Sequence, residues 1–286
     1  MLLNNIWVVN MDKSTDRLEK IKNNLDKLGL GFNRFRAVNG RELSKEQIDL
    51  VATPLCQNLL CNYGIVGCAQ SHKELWKQLV QDDKTNYYLI LEDDALMTEK
   101  SVEIIKKLEP KFSEYSIDYL SLYCNNPGCS LFETKFEIDG LEFGKPIFPL
   151  STVGYIITKK GAAKLLEQLG KTDYHIDFEI AVNRFRNDFN YYTSNEPIIT
   201  TDDDDTSTIG TKNNLITYSV LNSMGLNYYS WVLNNPILTI KMYYVINAML
   251  VILILLLVLN KKMIKSDILF WFIILELFLY NSSYLS

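Results

Sequence analysis

Short apolar runs alternate along the chain with longer stretches in which apolar residues recur three or four positions apart. The run at residues 6–9 predicts a buried strand. Ser14 is expected to cap the helix that follows, and Gly29 is expected to end it. The apolar positions of that helix are Leu18, Ile21, Leu25 and Leu28. A strand followed by an amphipathic helix therefore opens the fold.

The same two patterns, short apolar runs and apolar residues three or four positions apart, continue to residue 193. They predict strands at 32–38, 87–91, 117–123, 153–158 and 191–193, and helices at 64–80, 101–108, 161–169 and 176–185. Strands that alternate with helices indicate a mostly parallel sheet covered on both faces. Because such sheets bind ligands beyond the carboxyl ends of their strands, polar residues that directly follow a strand are the candidates for a binding site.

Two apolar runs lie near the end of the sequence. Residues 242–259 contain only one strongly polar side chain, Asn247, and are long enough to cross a bilayer as a helix. Residues 268–280 are fewer and include Glu276, so this run is expected either to form a second span or to lie in the interface. The alternative for each run is a buried core helix. We therefore expect a globular domain at 1–240 and a hydrophobic, membrane-associated tail at 241–286.

The side of the membrane stays open. Lys261, Lys262 and Lys265 favour a cytoplasmic loop between the two apolar runs, which would place the globular domain on the other side. The short run at 6–9 is followed at once by charged residues, so no signal peptide is predicted and that placement is disfavoured. The protein is expected to be attached to a membrane by its tail, with its orientation undetermined.

Composition narrows the function. The 29 Lys and Arg against 34 Asp and Glu give a net charge of −5, which argues against a nucleic-acid-binding protein. The 48% of hydrophobic residues argues against disorder. The cysteines are odd in number, lack a zinc-ligand spacing and are expected to be free buried thiols, as in a reducing compartment. They are Cys56, Cys61, Cys68, Cys124 and Cys129.

The strand at 87–91 runs directly into three acids, Glu92, Asp93 and Asp94. Adjacent carboxylates at the end of a buried strand are unfavourable unless water or a cation neutralises them. Oxygen ligands of this kind suit Mg²⁺ or Mn²⁺, which in turn bind diphosphates. The alternative is a solvated turn in which Asp94 begins the next helix.

Five short segments occur in an order that is more specific than any one of them. They are Asn10-Met11-Asp12 with Asp16-Arg17, Phe35 to Gly40, Gly67-Cys68-Ala69-Gln70-Ser71-His72, Leu89 to Ala95, and Gly154 to Thr158 with Gly161-Ala162. In these segments the chain resembles glycosyltransferase family 25, the lipopolysaccharide and collagen galactosyltransferase type. The resemblance extends over residues 5–210.

The resemblance implies a GT-A-like α/β fold, with a mixed, mostly parallel sheet flanked by helices, to which the tail adds C-terminal hydrophobic helices. It also implies a nucleotide-sugar donor and a divalent cation, usually Mn²⁺, with Mg²⁺ as the alternative. Asp94 would ligate the metal, Glu92 would support the metal site or contact the donor, and Asp93 would belong to the donor site.

Further donor-site residues follow from the same resemblance. Asn10, Asp12 and Arg17 would lie near the nucleotide, although Arg17 could instead be a surface residue of its helix. Ser71 and His72 would line the donor pocket. The alternative for His72 is a buried core histidine.

Transfer with inversion needs a base for the acceptor hydroxyl, and a carboxylate is the usual one in this fold. Asp177 is the first choice and Glu179 the second, while Asp177 could instead be a helix N-cap. His175 could be a metal ligand or a structural residue. The four aspartates at 202–205 could form a solvated loop or contact metal or acceptor.

The expected function is that of a metal-dependent glycosyltransferase. It would move a hexose, galactose or glucose, from a nucleotide-diphosphate sugar such as a UDP-hexose to a hydroxyl of a glycan or hydroxylated protein. One alternative is an inactive, membrane-tethered binding module of the same fold. Another is a two-carboxylate glycoside hydrolase, which needs neither nucleotide nor metal.

Overall fold

The computed structural model describes residues 2–123, 133–146, 149–183 and 188–201. Its strands are β1 (Ile6–Asn10), β2 (Asn33–Arg36), β3 (Tyr87–Glu92), β4 (Ala95–Leu96), β5 (Tyr119–Ser121), β6 (Thr134–Ile138), β7 (Leu141–Gly144), β8 (Gly154–Thr158), β9 (Tyr191–Ser194) and β10 (Thr200–Thr201). Its helices are α1 (Thr15–Lys27), α2 (Lys45–Val51), α3 (Tyr63–Gln81), α4 (Glu99–Glu114), α5 (Lys159–Gln168) and α6 (Ile176–Asn183), with short helical turns at Leu2–Asn4, Gly40–Glu42 and Cys56–Leu60.

Eight of these strands form one sheet in the order β2-β1-β3-β8-β5-β9-β7-β6. The pairings give β8 and β7 the opposite direction to the other strands, so six of the eight run the same way. The α/β class and the mostly parallel sheet are therefore confirmed. β4 and β10 pair with each other in a small antiparallel sheet just beyond the acidic triplet.

The central strands are buried on both faces, and alternate residues pack into two different layers. Val8, Leu89 and Leu91 contact the apolar face of α1 and α4. Their neighbours Tyr88 and Ile90 pack on the opposite side, against α3, α5 and α6. Because the period of a strand is two residues, a one-residue shift in register would exchange these two sets. The register of β1 and β3 is thereby fixed, and with it the position of the polar residues that follow them.

The loop after β2 lies unusually close to the first turns of α3. A Cβ atom on Gly40 would lie 1.9 Å from the Tyr63 carbonyl oxygen, and one on Gly67 would lie 2.4 Å from that of Val38. The Ser71 hydroxyl reinforces this contact, since it accepts from the Val38 N–H at 2.8 Å and donates to the Gly67 carbonyl at 2.7 Å. Only glycine permits this approach of loop to helix, which forms one wall of the cleft described below.

The free-thiol prediction is wrong for two cysteines. Cys56 and Cys61 form a disulfide, and their Cα atoms are 4.8 Å apart because the helical turn at Cys56–Leu60 brings them together. Cys68 is a free thiol. Cys124 and Cys129 lie outside the described residues. The inference of a reducing compartment loses its basis.

The predicted tail, with its apolar runs at 242–259 and 268–280, lies outside the described residues, as do the four aspartates at 202–205. Within the described ranges, no helix combines the length and the apolar character that crossing a bilayer requires.

Candidate active site

A cleft of about 330 Å³ lies at the carboxyl ends of β1 and β3 and is closed on one side by the start of α3. This is the edge at which parallel α/β sheets place their ligands. The acidic triplet lies in its wall, and so do the two segments that resemble the family on α3 and after β2. Its charged lining residues are Lys13, Arg17, Arg41, Glu92, Asp93 and Asp94.

Asp93 is the most strongly held member of the triplet. Its carboxylate accepts from the Asn10 amide at 2.7 Å and from the Arg17 guanidinium at 3.2 Å. Asn10 is buried at the end of β1, donates also to the Ser14 carbonyl at 2.9 Å and accepts from Arg34 at 3.0 Å. Burial nevertheless raises the pKa of Asp93, against the effect of these two donors. Asn10 and Asp93 thus form a frame between β1, α1 and β3.

Arg17 is not a surface residue, because its side chain is 12% exposed and faces the triplet. Its helix begins where the sequence predicted, although the Ser14 side chain makes no capping hydrogen bond. The guanidinium is 3.9 Å from an Asp94 oxygen, beyond hydrogen-bond distance. Arg17 therefore neutralises Asp93 directly and Asp94 only through space.

The Asp94 side chain is 22% exposed, with Arg17 near its Oδ2. One carboxylate oxygen, Oδ1, is buried and has no hydrogen-bond partner within the described part of the chain. Burial, followed by the neighbouring Glu92 charge, raises the pKa of Asp94 to about 7. The triplet does not start a helix, since a turn leads into β4 and α4 begins only at Glu99. An anionic oxygen in this position suits a hard cation, which is the ligand chemistry of Mg²⁺ and Mn²⁺.

Glu92 ends β3 and points toward α3. Its Oε1 accepts from the Thr152 hydroxyl at 2.6 Å and lies 3.5 Å from His72 Nε2. Burial is the largest influence on the pKa of Glu92 and raises it, but the nearby His72 and the Thr152 hydroxyl outweigh it, so the net shift is downward. The Cys68 thiol lies on the same side, and burial together with the Glu92 charge raises its pKa well above the usual range. Glu92 is thus the acid of the triplet whose pKa is lowered.

His72 is fully buried, as one reading of the sequence expected, and it also borders the cleft. Its Nδ1 lies 2.8 Å from the Tyr155 hydroxyl, which accepts from the Trp76 indole N–H at 3.0 Å. The second ring nitrogen, Nε2, has no hydrogen-bond partner within the described ranges. Ser71 is buried beside it, but its hydroxyl is engaged by backbone groups.

Asp12 stands at the rim. Its half-exposed carboxylate pairs with Arg34 at 2.8 Å and with Arg36 at 2.5 Å. The hydrogen bond from Arg34, chiefly, lowers the pKa of Asp12. The structure brings Asp12 near the cleft without making it part of the described wall, which contains Met11 and Lys13 on either side of it.

The two candidate bases lie in different surroundings. Asp177 lies in the first turn of α6, which begins at Ile176, so the N-cap alternative is not what the structure shows. It accepts from the Phe178 N–H at 2.7 Å and lies 3.8 Å from His175 Nδ1. Burial, with a smaller contribution from Glu92, raises the pKa of Asp177 despite His175. The charge of Asp177 therefore interacts with that of Glu92, which lines the cleft.

Glu179 is buried and held by the backbone. Its Oε1 accepts from the Asp173 and Tyr174 N–H groups at 2.6 and 3.0 Å, and its Oε2 lies 3.5 Å from Lys73 Nζ. Burial raises the pKa of Glu179, partly offset by Lys73. His175 has a buried Nε2 without a partner among the described residues, and burial lowers its pKa against the pull of Asp177. Glu179 links α6 to α3 through Lys73, whereas Asp177 and His175 interact electrostatically with Glu92.

Sequence reasoning missed Cys68, Thr152 and Tyr155 as neighbours of the site. Cys68 and Tyr155 stand inside segments that resemble the family, so the signal was present without a role attached to it. Thr152 precedes β8, whose antiparallel register pairs Leu91 with Gly154 and so delivers Thr152 to Glu92. No local pattern reveals that pairing.

Comparisons with known proteins agree on one family. The family model described as glycosyltransferase family 25 (LPS biosynthesis protein) matches residues 3–180. A glycosyltransferase 25 family member of Anopheles gambiae is 29% identical over 184 residues, which are 58% of this chain and 29% of that protein. Human procollagen galactosyltransferase 2 is 21% identical over 169 residues, 56% of this chain and 27% of that protein. The chain spans less than a third of the length of these relatives.

Among solved structures, A197 from STIV is similar with a TM-score of 0.40 and 12% identity. The similarity covers 73% of this chain and 99% of that one.

Proposed function

The chain belongs to glycosyltransferase family 25, whose model matches more than half of it, and we propose from this premise that its cleft transfers a hexose from a nucleotide-diphosphate sugar to a hydroxyl group. The observation that carries the proposal is Asp94 at the carboxyl end of β3, whose buried Oδ1 has no hydrogen-bond partner in the part of the chain that the structure describes. A bound cation, which would also hold the diphosphate, would pair with that oxygen.

Asp94 and Glu92 would hold the cation, Mn²⁺ or Mg²⁺. Both offer carboxylate oxygens within one cleft, and this donor set fits a hard divalent ion. When bound, such an ion acts as a Lewis acid that stabilises the charge on the departing diphosphate. Asp94 is the stronger candidate for a ligand, because its Oδ1 has no hydrogen-bond partner among the described residues.

The rest of the cleft would bind the donor. Arg17, Lys13 and Arg41 line it and give positive charge for the phosphates. Asn10 and Asp93 hold β1 against β3 and fix the donor side of the cleft, with Asp12 at its rim. Ser71 and His72 belong to the wall contributed by α3. A UDP-hexose is the proposed donor, and the galactosyltransferase name of the human relative favours galactose over glucose.

Asp177 would act as the base in an inverting transfer. It lies in the field of Glu92 at the start of α6, whereas both oxygens of Glu179 are directed at backbone N–H groups and Lys73. Asp177 would take the proton from the acceptor hydroxyl as that oxygen attacks the sugar. The proposed acceptor is a hydroxyl of a glycan or of a hydroxylated protein.

A screen of nucleotide sugars with Mn²⁺, which measures released nucleoside diphosphate with and without acceptor, tests the proposal. Calorimetry of donor binding with and without a chelator then isolates the metal. Equal donor affinity in both conditions would refute the metal role. Donor binding without any turnover would instead indicate an inactive binding module, and chelator-insensitive cleavage of a glycoside would indicate a hydrolase.

The proposal also includes membrane attachment through residues 242–259, with 268–280 as a second contact and 1–240 as the transferase domain. Its basis is the run of 18 residues with a single strongly polar side chain. Carbonate extraction of membranes that contain the full chain is the test. Recovery of the protein in the supernatant after centrifugation would contradict attachment by a spanning helix.

A further inference from the structure

Three side chains of different chemistry meet at the floor of the cleft. One ligand atom each of Cys68, His72 and Glu92 lie within 4.8 Å of one another. Cys68 and His72 are four residues apart on α3 and so project from the same face of that helix. Glu92 reaches the same point from the end of β3. A helix and a neighbouring strand thus present a sulfur, a nitrogen and an oxygen atom to one small volume.

Of the three side chains, His72 has a ring nitrogen, Nε2, without a hydrogen-bond partner among the described residues. The side chain is fully buried, and its Nε2 has no hydrogen-bond partner within the described ranges, although Glu92 Oε1 is 3.5 Å away. A buried polar atom left in this state is rare and calls for a ligand. Nε2 lies 3.5 Å from Glu92 Oε1, and the ligand atoms of the three residues are within 4.8 Å of one another, so one ligand could reach all three.

The surroundings also orient the ring as metal sites do. The Tyr155 hydroxyl accepts from the Trp76 indole and lies 2.8 Å from His72 Nδ1. Its oxygen has two lone pairs, so it can accept from Nδ1–H as well. In the tautomer with the proton on Nδ1, Tyr155 would accept that proton, and the Nε2 lone pair would be available to a cation. A hydrogen bond to the distal nitrogen is the usual support of a histidine that binds metal.

We propose that Cys68, His72 and Glu92 bind a thiophilic divalent cation of the zinc class. Thiolate, imidazole and carboxylate together suit Zn²⁺ or Co²⁺, whereas Mg²⁺ and Mn²⁺ favour oxygen alone. Three protein ligands leave a fourth position of a tetrahedral ion open to the cleft. Binding would release the thiol proton of Cys68 to solvent. This site differs from the proposed nucleotide-metal site, which uses Asp94, and shares only Glu92 with it.

Cobalt gives a direct test on the full chain. Metal-free protein is titrated with Co²⁺ alone, and the visible bands of tetrahedral cobalt are recorded together with the near-ultraviolet charge-transfer band of a cobalt thiolate. We expect both sets of bands in the wild type and their loss in Cys68→Ser. His72→Gln should weaken Co²⁺ binding on the order of 100-fold or more, since even outer-shell changes cost about 10–100-fold.

The chain offers a matched control for the thiolate. Cys56 and Cys61 are joined in a disulfide, so the remaining cysteines besides Cys68 are Cys124 and Cys129. The double variant Cys124→Ser/Cys129→Ser should keep the cobalt thiolate band. Absence of the band from the wild type, or its survival in Cys68→Ser, would overturn the proposal.

Two further measurements keep the outcome unambiguous. If Cys68→Ser fails to fold by circular dichroism, alkylation of the wild type is followed by peptide mass spectrometry, and Zn²⁺ should slow the modification of Cys68. An unchanged rate would overturn the proposal. Asp94→Asn should leave the cobalt bands unchanged, because Asp94 is not a ligand here. No nucleotide sugar is present in these experiments, so failure of the proposed transferase function and failure of this site are distinguishable.

Discussion

Two aspartates at opposite ends of the parallel strands, Asp118 buried and Asp94 partly buried, show different ways of holding a negative charge. Asp118 directly precedes β5, and its Oδ2 accepts from Lys164 Nζ at 2.7 Å and from the Asn190 N–H at 3.0 Å. Asp94 follows β3 at the carboxyl edge, where its buried Oδ1 has no partner among the described residues and Arg17 is 3.9 Å from its other oxygen. The fold compensates the first charge with two hydrogen-bond donors and the second with an arginine beyond hydrogen-bond distance.

The same contrast separates the two candidate bases. Glu179 is closer to Asp118, because two backbone N–H groups and Lys73 oppose its charge, although its Oε2 accepts no hydrogen bond from the described residues and burial raises its pKa. Asp177 resembles Asp94, since burial and the charge of Glu92 raise its pKa against the opposing effects of His175 and the Phe178 N–H. Acids of the first kind should matter for stability, and acids of the second kind for binding and turnover.

The largest expected effect is that of Asp94→Asn. A neutral amide is a poorer ligand for a hard cation, and a metal that acts as a Lewis acid contributes several kcal/mol. We expect kcat/KM to fall on the order of 10⁴-fold, with loss of Mn²⁺-dependent donor affinity in calorimetry. The free energy of unfolding should not fall, because a partly buried charge beyond hydrogen-bond distance of Arg17 is removed. Retention of Mn²⁺-dependent donor affinity would contradict the assignment of Asp94 as a ligand.

The next effect is confined to turnover. Asp177→Asn should retain donor affinity and lose on the order of 10²–10⁴ in kcat at saturating acceptor, the usual loss when a general base is removed. Its matched control is Glu179→Gln, which should lower the melting temperature while the folded enzyme keeps its kcat. The assignment of the base fails if these two variants exchange phenotypes.

The sequence predicted the central strands and the helices next to them because local periodicity encodes them. It missed the hairpin of β6 and β7, although Asp139-Gly140 is a strong signal for a two-residue turn and both residues have positive φ, 50° and 82°. It also ended α4 early, whereas the helix continues past Pro110 to Glu114. The hairpin turn is a local pattern present in the sequence, whereas the helix continues past Pro110 against the usual effect of an interior proline.

The site divides in the same way. Glu92, Asp93 and Asp94 are adjacent in sequence, so a strand that ends in acids was enough to predict where the cleft lies. Thr152 and Tyr155 reach it through the antiparallel pairing of β8 with β3, which is a long-range register. Such a register is decided by the packing of both faces of the sheet and not by the residues of β8 alone.

A smaller effect, on stability alone, is expected at the compensated acid. Asp118→Asn removes the charge that faces Lys164, whose side chain is 18% exposed and can turn partly to water. We expect a loss of about 1–3 kcal/mol in the free energy of unfolding, measured by urea denaturation, with kcat of the folded enzyme unchanged. A loss of donor affinity in this variant would mean that the two ends of the parallel strands are coupled and that the comparison does not hold.

The smallest effect is expected at an ion pair whose charges are exposed to water. Lys107 pairs with Asp139 at 2.5 Å, but the side chains are 53% and 42% exposed, so the pair is screened and its geometry costs side-chain entropy. Lys107→Gln should therefore change the free energy of unfolding by less than about 0.5 kcal/mol in the same urea experiment. Added salt should reduce even that difference, because exposed pairs are screened by ions. A change as large as that of Asp118→Asn would show that burial does not separate these acids, and the contrast between Asp118 and Asp94 would then need another physical basis.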